Sequence, residues 1–217
     1  TDVRIVHAPC VGACDRAPVA VVGQRQIHYA DTARVADAAD AGNTSTDLPD
    51  YIDLDASRAD GGYVIWNACR NGEQDRDDVI NAVDQSGLRG LGGAGFPTAR
   101  KWAFLKDTPK PRLIAINADE GEPGTFKDRY CFETDPHRVL EGILIAAWAV
   151  EAEAAYIYLR DEYPQCRDLL LTEIERLESE DMTGGISLHL RRGAGSYICG
   201  EESAMLESIE GKRGLPR

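Results

Sequence analysis

Two cysteines stand close together near the start of the chain, in the run Cys10-Val-Gly-Ala-Cys14. A three-residue spacer lets both thiolates face one side of a loop, and Gly12 allows a tight backbone turn between them. Iron–sulfur clusters take cysteine thiolates as ligands, four to a cluster. The sequence holds no second close pair of cysteines, so two buried structural thiols are an equal alternative on spacing alone.

A second candidate is the segment Gly87–Gly95, in which five of nine residues are glycine. Backbone amides of such a loop can approach a phosphate closely, and the dipole of a following helix attracts anions. Pro97 suits the start of that helix, and Lys101 lies one turn further on. The segment therefore predicts a loop that binds a phosphate or a ring, although a flexible turn is the simpler alternative.

Two nucleotide-binding motifs resemble this segment without matching it. Gly90, Gly92 and Gly95 have the spacing of the dinucleotide fingerprint, but a polar helix precedes them where that motif needs a buried strand. Phe96 occupies the position of the lysine that follows the last glycine of a Walker A loop.

The third candidate follows a short apolar strand, where α/β sheets place their ligand sites. It contains Asn117, Asp119, Glu120 and Glu122. Three carboxylates so close repel one another unless hydroxyl or amide donors approach them, as ribityl and ribose groups could. A solvated acidic turn is the alternative.

A fourth stretch joins a glycine-rich strand exit to a helix, and it contains Tyr197, Cys199, Gly200, Glu201 and Glu202. Tyr197 and Cys199 could line a pocket. Carboxylates in the first turn of a helix also stabilise the helix dipole, so simple capping explains Glu201 and Glu202 equally well.

Composition excludes several classes of protein. The 217 residues have a formal charge of −13, which disfavours nucleic acid as a partner, and no apolar run is long enough to span a membrane. Six cysteines are too few for a disulfide scaffold of this length, which indicates a reducing, cytoplasmic location. His7, His28, His137 and His189 are scattered, without the spacing of metal ligands.

The elements that position these candidates alternate between strands and helices, which predicts an α/β fold with a mainly parallel sheet. Gly42–Pro49 is the best domain boundary, because it is rich in turn residues. Strands are predicted at Val3–Val6, Val19–Val22, Leu113–Asn117, Tyr156–Leu159 and Ile186–Leu190. Helices are predicted at Thr32–Ala41, Asp75–Ser86, Pro97–Lys106, Pro136–Glu151, Pro164–Glu178 and from about Glu201.

Several stretches together resemble the NADH-binding flavoprotein family, which includes the FMN subunit of respiratory complex I, the diaphorase subunit of NAD-reducing hydrogenases and the beta subunit of NAD-dependent formate dehydrogenases. They are GLRGLGGAGFPTARKW, NADEGEPGTFKDRY, DPHRVLEGILIAAWAV, YIYLRDEYP and RGAGSYICGEESAMLESIEGKRGLPR. The opening APCVGACDRAP resembles the end of the thioredoxin-like [2Fe-2S] domain that accompanies this family. Leu91 departs from the family, which often has arginine there.

The resemblance implies three regions in a fragment of a longer subunit. Residues 1–47 would be the C-terminal part of the thioredoxin-like [2Fe-2S] domain, 48–86 a linker and N-terminal extension, and 87–217 a Rossmann-like FMN- and NADH-binding domain. The C-terminal part of the longer subunit would carry a [4Fe-4S] cluster. No catalytic acid or base is implied, because hydride transfer takes place between NADH and FMN.

The resemblance also assigns residues. Cys10 and Cys14 would ligate the [2Fe-2S] cluster, whereas Cys69, Cys131 and Cys166 would not be ligands. Phe96 and Phe104 would stack on the NADH adenine, and Glu122 would approach the nicotinamide. The other residues implied at the cofactor sites, mainly for FMN, are Gly90, Gly92, Gly93, Lys101, Asn117, Asp119, Glu120, Tyr197, Gly200, Glu201 and Glu202.

The fusion of both domains on one chain favours the beta subunit of a formate dehydrogenase, whose partner would be a molybdenum- or tungsten-containing catalytic subunit. A flavoprotein subunit of complex I and a hydrogenase diaphorase are the alternatives. A flavin-binding sensor or structural remnant is the non-enzymatic alternative.

Overall fold

A computed structural model describes residues 3–217, which form short elements before a larger α/β unit. The strands are β1 (Ala20–Val22), β2 (Arg25–Ile27), β3 (Leu113–Ala118), β4 (Ala154–Leu159) and β5 (Ser187–Arg192). The helices are α1 (Thr32–Asp40), α2 (Leu54–Ala59), α3 (Val64–Arg70), α4 (Arg76–Gln85), α5 (Thr98–Ala103), α6 (Lys127–Thr134), α7 (Pro136–Ala149), α8 (Pro164–Ser179) and α9 (Glu202–Ile209). Two 3-10 turns lie at Cys14–Arg16 and Tyr197–Gly200.

A parallel sheet of order β3-β4-β5 forms the centre of the larger unit. Ile116 pairs with Ile157, which in turn pairs with Leu190. α7 and α8 pack against this sheet and bury Leu140, Leu144 and other apolar residues, so the helices cover what β-branched strands alone would expose. The predicted α/β fold with a parallel sheet is confirmed.

The first element predicted from sequence is wrong. Val3–Val6 forms no strand, and the Ile5 residue is 91% exposed. Alternation of polar and apolar residues stabilises a strand only beside a partner strand, and no strand in residues 3–217 pairs with this segment.

The prediction also missed β2, which is polar and only three residues long. It pairs antiparallel with β1, and Gly23 makes the turn between them with φ of 65°. Helix α1 begins where predicted, because Asp31 accepts a hydrogen bond from the amide of Arg34 at 2.8 Å.

Residues 48–86 pack tightly on the larger unit, more than a linker would. Trp66 in α3 is buried, and its indole N–H donates to the carbonyl of Met182 at 2.6 Å. His137 lies in a buried chain of hydrogen bonds between Tyr63 and Glu173, each contact being 2.8 Å long. Burial lowers the pKa of His137, which favours the neutral ring in the fold.

No helix within residues 3–217 is long and apolar enough to cross a membrane.

Candidate functional site

The glycine loop, residues 87–97, projects from the protein between α4 and α5. A pair of backbone bonds closes its base: Gly90 N donates to Phe96 O, and Thr98 N to Leu88 O, each at 3.0 Å. Its tip is open, since a Cβ added at Gly92 or Gly93 would meet no atom within 4 Å. Gly93 has a φ of 106°, which few other residues adopt. The tip therefore leaves room for a ligand against bare backbone.

The helix after this loop is shorter than the sequence predicted. Pro97 is its N-cap, and α5 ends at Ala103, whereas Lys106 was the predicted end. Six residues provide little dipole for anion binding, so the glycine amides and the exposed Lys101 carry that role. Phe96 and Phe104 are exposed and adjacent, with ring centroids 6.1 Å apart.

Two of the predicted stretches meet at the carboxyl end of β3, as the parallel sheet requires. The acidic loop, residues 117–124, follows this strand. Asn117 Nδ2 donates to the carbonyl of Gly200 at 2.7 Å. A Cβ at Gly200 would stand 3.0 Å from the carbonyl oxygen of Asp119, so glycine permits this approach. Asn117, Asp119 and Gly200 thus lie together as predicted.

Asp119 is the unusual group of this site. Its Oδ2 atom is buried and accepts no hydrogen bond from residues 3–217, and the residue is 8% exposed. Burial, with a smaller contribution from the charge of Glu162, raises the pKa of Asp119 to about 6. A buried carboxylate oxygen without a donor is costly, so this atom suits a ligand that supplies one.

Glu120 turns the other way. Its carboxylate accepts hydrogen bonds from the amide of Asp128 at 3.1 Å and from the hydroxyl of Tyr163 at 3.1 Å. Lys127 Nζ also lies 3.2 Å away. The side chain of Glu120 thus holds the start of α6, and its assignment to the flavin stays a prediction.

The remaining acidic residues divide between surface and helix cap. Glu122 is exposed and accepts from the hydroxyl of Tyr197 at 2.8 Å, which raises the pKa of Tyr197. Glu201 caps α9 by accepting from the amide of Ala204 at 2.9 Å. Glu202 is exposed in the first turn of the same helix.

The cysteine loop, residues 10–16, presents two free, exposed thiols. Gly12 stands between them with φ of 68°. A hydrogen bond from the backbone amide of Gly12 lowers the pKa of Cys10, and the Arg160 guanidinium acts in the same direction. Within residues 3–217 no third histidine, cysteine or carboxylate joins Cys10 and Cys14 in a metal-binding group. The loop therefore offers two of the four thiolates that an iron–sulfur cluster takes.

Sequence reasoning missed the residues that join these loops. Arg160 and Arg129 are 6% and 1% exposed, and both donate to backbone carbonyls of the cysteine loop. The available signal was an arginine directly after the buried strand β4, where a charge needs a specific partner.

Comparison with known proteins identifies the family. Residues 83–217 match the model of the Nuo51 FMN-binding domain. The chain belongs to this family. This Nuo51 domain covers the glycine loop, the acidic loop and all three strands of the parallel sheet.

Two relatives are components of NADH-quinone oxidoreductase. The chain is 46% identical over 177 residues to the component designated F in Aquifex aeolicus, covering 78% of this chain and 41% of that protein. It is 47% identical over 189 residues to the component designated F 2 in Rhizobium meliloti, covering 80% of this chain and 43% of that protein. It thus spans less than half the length of these Nuo51 relatives.

The fold also resembles a solved structure of an NAD+-reducing [NiFe]-hydrogenase in the H2-reduced state. The TM-score is 0.79 at 36% identity, over 96% of this chain and 39% of that one. The similarity therefore extends well beyond the Nuo51 domain towards the N-terminus.

Proposed function

We propose that this chain is the NADH- and FMN-binding part of an NAD-dependent oxidoreductase subunit, which passes electrons between NADH and iron–sulfur clusters. The main support is the buried, unpartnered Oδ2 of Asp119 beside the carboxyl end of the parallel sheet. The family match and the open glycine loop support the same function.

The residues present fit FMN. Ribityl hydroxyls are donors that would satisfy Asp119, and Asn117 with Gly200 would form the wall beside it. Backbone amides at Gly90, Gly92 and Gly93 would hold the phosphate, together with Lys101. When bound, FMN accepts an electron pair from NADH and releases electrons one at a time. The protein supplies binding and orientation, and no residue here is assigned as an acid or base.

The residues for NADH lie at the exposed rim. Phe96 and Phe104 present aromatic surface on which adenine would stack. Glu122 and Tyr197 are joined by a hydrogen bond and would stand on the nicotinamide side. Glu120, Glu201 and Glu202 would act around the flavin, the first two through the backbone that their carboxylates hold.

Cys10 and Cys14 would provide two ligands of a [2Fe-2S] cluster, whose electrons pass to or from the flavin. Two exposed thiols on one tight loop, one of them with a lowered pKa, support this assignment. A [4Fe-4S] cluster is proposed for the complete cytoplasmic subunit. Residues 1–47, 48–86 and 87–217 would keep the three roles given by the sequence.

The kind of complex is a separate part of the proposal. Fusion of the cysteine loop to the flavin domain favours a formate dehydrogenase, with a molybdenum or tungsten subunit as partner. The likeness to the hydrogenase structure over 96% of the chain favours a hydrogenase diaphorase. Metal analysis of the purified complex separates them: molybdenum or tungsten supports the first, and nickel supports the second.

The flavin assignment is tested on the purified protein in the form that its gene encodes. Absorption and fluorescence spectra of the isolated protein should show bound flavin, and anaerobic NADH should bleach its absorption bands. Bound FMN that NADH leaves oxidised would support the flavin-binding sensor or remnant instead. Absence of flavin after reconstitution would refute the proposal.

Replacing Gly92 with alanine should weaken FMN binding roughly tenfold, because the added methyl group occupies space that the ligand needs. Gly92 has no positive φ and its Cβ meets no protein atom, so the variant should fold normally. Equilibrium titration with FMN measures the effect. Gly142→Ala is the matched control, since that Cβ also meets nothing and lies on helix α7; equal affinity in both variants would exclude the tip as a binding surface.

Replacing Phe96 with alanine should raise KM for NADH roughly fivefold to tenfold while FMN content stays constant. Stacking of an aromatic ring contributes about 1 kcal/mol beyond its buried area. The change in kcat should be small, because adenine contributes mainly uniform binding. Steady-state kinetics with ferricyanide and flavin quantification test this. Loss of flavin with unchanged KM would move Phe96 from the adenine site to the flavin site.

A further inference from the structure

Arg160 lies between the two loops that the proposed function assigns to the cluster and the flavin. It directly follows β4 and is 6% exposed. Its Nη2 donates to the carbonyl of Cys10 at 2.6 Å, and its Nη1 donates to the carbonyl of Glu120 at 2.6 Å. One guanidinium therefore bridges the cysteine loop and the acidic loop with no other residue between them.

The surroundings fix this guanidinium in place. Its Nε donates to Glu162 Oε2 at 3.1 Å, and its Cζ lies 5.3 Å from the ring centroid of Tyr163. The same ring packs on the cysteine loop, since a Cβ at Gly12 would stand 2.5 Å from Tyr163 Cε1 and 2.9 Å from Arg160 Nη1. The contact is close enough to require glycine at position 12.

The bridge depends on the shape of the arginine side chain. A guanidinium is planar, carries five donors in fixed directions and stays charged at all ordinary pH values. It can therefore donate to two carbonyls and a carboxylate at once. A lysine ammonium is a compact charge and cannot span the same three acceptors in this geometry.

We propose that Arg160 is a positioning residue that fixes the cysteine loop against the acidic loop, so that the cluster and the flavin keep one separation, and that its charge raises the cluster's reduction potential. This proposal rests on the proposed function. A positive charge favours the reduced, more negative cluster, and net charge and hydrogen bonding are among the factors that set such potentials.

The bridging role is tested by amide hydrogen exchange of residues 10–16 in the protein as its gene encodes it. Arg160→Lys and Arg160→Gln should both exchange roughly tenfold faster there, because each loses hydrogen bonds to the loops. Arg138→Gln is the control, since it removes an arginine that is paired only with Asp135 on the exposed face of α7. If the Gln variant fails to fold, the Lys variant decides; wild-type exchange in it would overturn the bridge.

The electrostatic role is tested by a redox titration followed by electron paramagnetic resonance. Arg160→Gln should lower the reduction potential of the [2Fe-2S] cluster, whereas Arg160→Lys should keep it near the wild-type value while loop exchange rises. A purely structural residue would not separate the two variants in this way. An unchanged potential in Arg160→Gln would overturn the role of the charge, whereas a wild-type protein with no cluster signal would refute the cluster assignment itself.

Discussion

Replacing Arg129 with alanine is expected to lower the free energy of unfolding by about 3 kcal/mol, which is the low end of the usual cost of breaking a buried ion pair. Arg129 is 1% exposed, and its Nη1 donates to Glu133 Oε2 at 2.8 Å. Its Nη2 donates to Asp15, and its Nε donates to the carbonyl of Gly12 at 3.3 Å. The low end applies because Arg16 and Gln165 would still donate to Glu133.

The measurement is denaturant unfolding of the variant beside Arg138→Ala. Arg138 forms an exposed pair with Asp135, and exposed pairs contribute at most about 1 kcal/mol, so this control should stay close to wild type. The Arg129 variant should also show faster proteolysis near residues 10–16, because two of its contacts hold the cysteine loop. Equal stability of the two variants would contradict the structural role given to this buried network.

Much of the larger unit could be predicted from sequence, because its elements carry local signals. Asp75 precedes α4 and Asp135 precedes α7, and each caps its helix by accepting a backbone amide. The apolar stretches of β3 and β4 indicate strands covered by helices. The convergence of Asn117, Asp119 and Gly200 followed from the rule that ligand sites lie at the carboxyl ends of parallel strands.

Other features depend on tertiary contacts that no local pattern shows. Val3–Val6 has the alternation of a strand but lacks a partner strand among the described residues, so alternation misled the prediction. Helix α6 was hidden inside a polar sequence, since Arg129 and Glu133 are buried only because they pair with residues more than 100 positions earlier in the chain. The orientation of Glu120, away from the flavin side, likewise required the positions of Asp128 and Tyr163.

Replacing Asp119 with asparagine should have opposite effects on stability and on flavin binding. In the folded protein burial raises the pKa of Asp119 from 3.8 to about 6. Between these values the folded state binds more protons than the unfolded state, so the free energy of unfolding falls as pH rises from about 4 to 6. The variant lacks this group, and its stability profile over that range should be flatter by about 2 kcal/mol.

Flavin affinity should fall in the same variant roughly tenfold to hundredfold at pH 7, because a hydrogen bond to a charged acceptor contributes about 1.5–3 kcal/mol. Hydroxyl donors favour the ionised carboxylate, so wild-type affinity should also weaken as pH falls through about 6, whereas the variant's affinity should not. Riboflavin is the better probe for this pH series, since it carries no phosphate that titrates in the same range. Parallel pH profiles for the two proteins would show that the buried oxygen of Asp119 does not face the flavin.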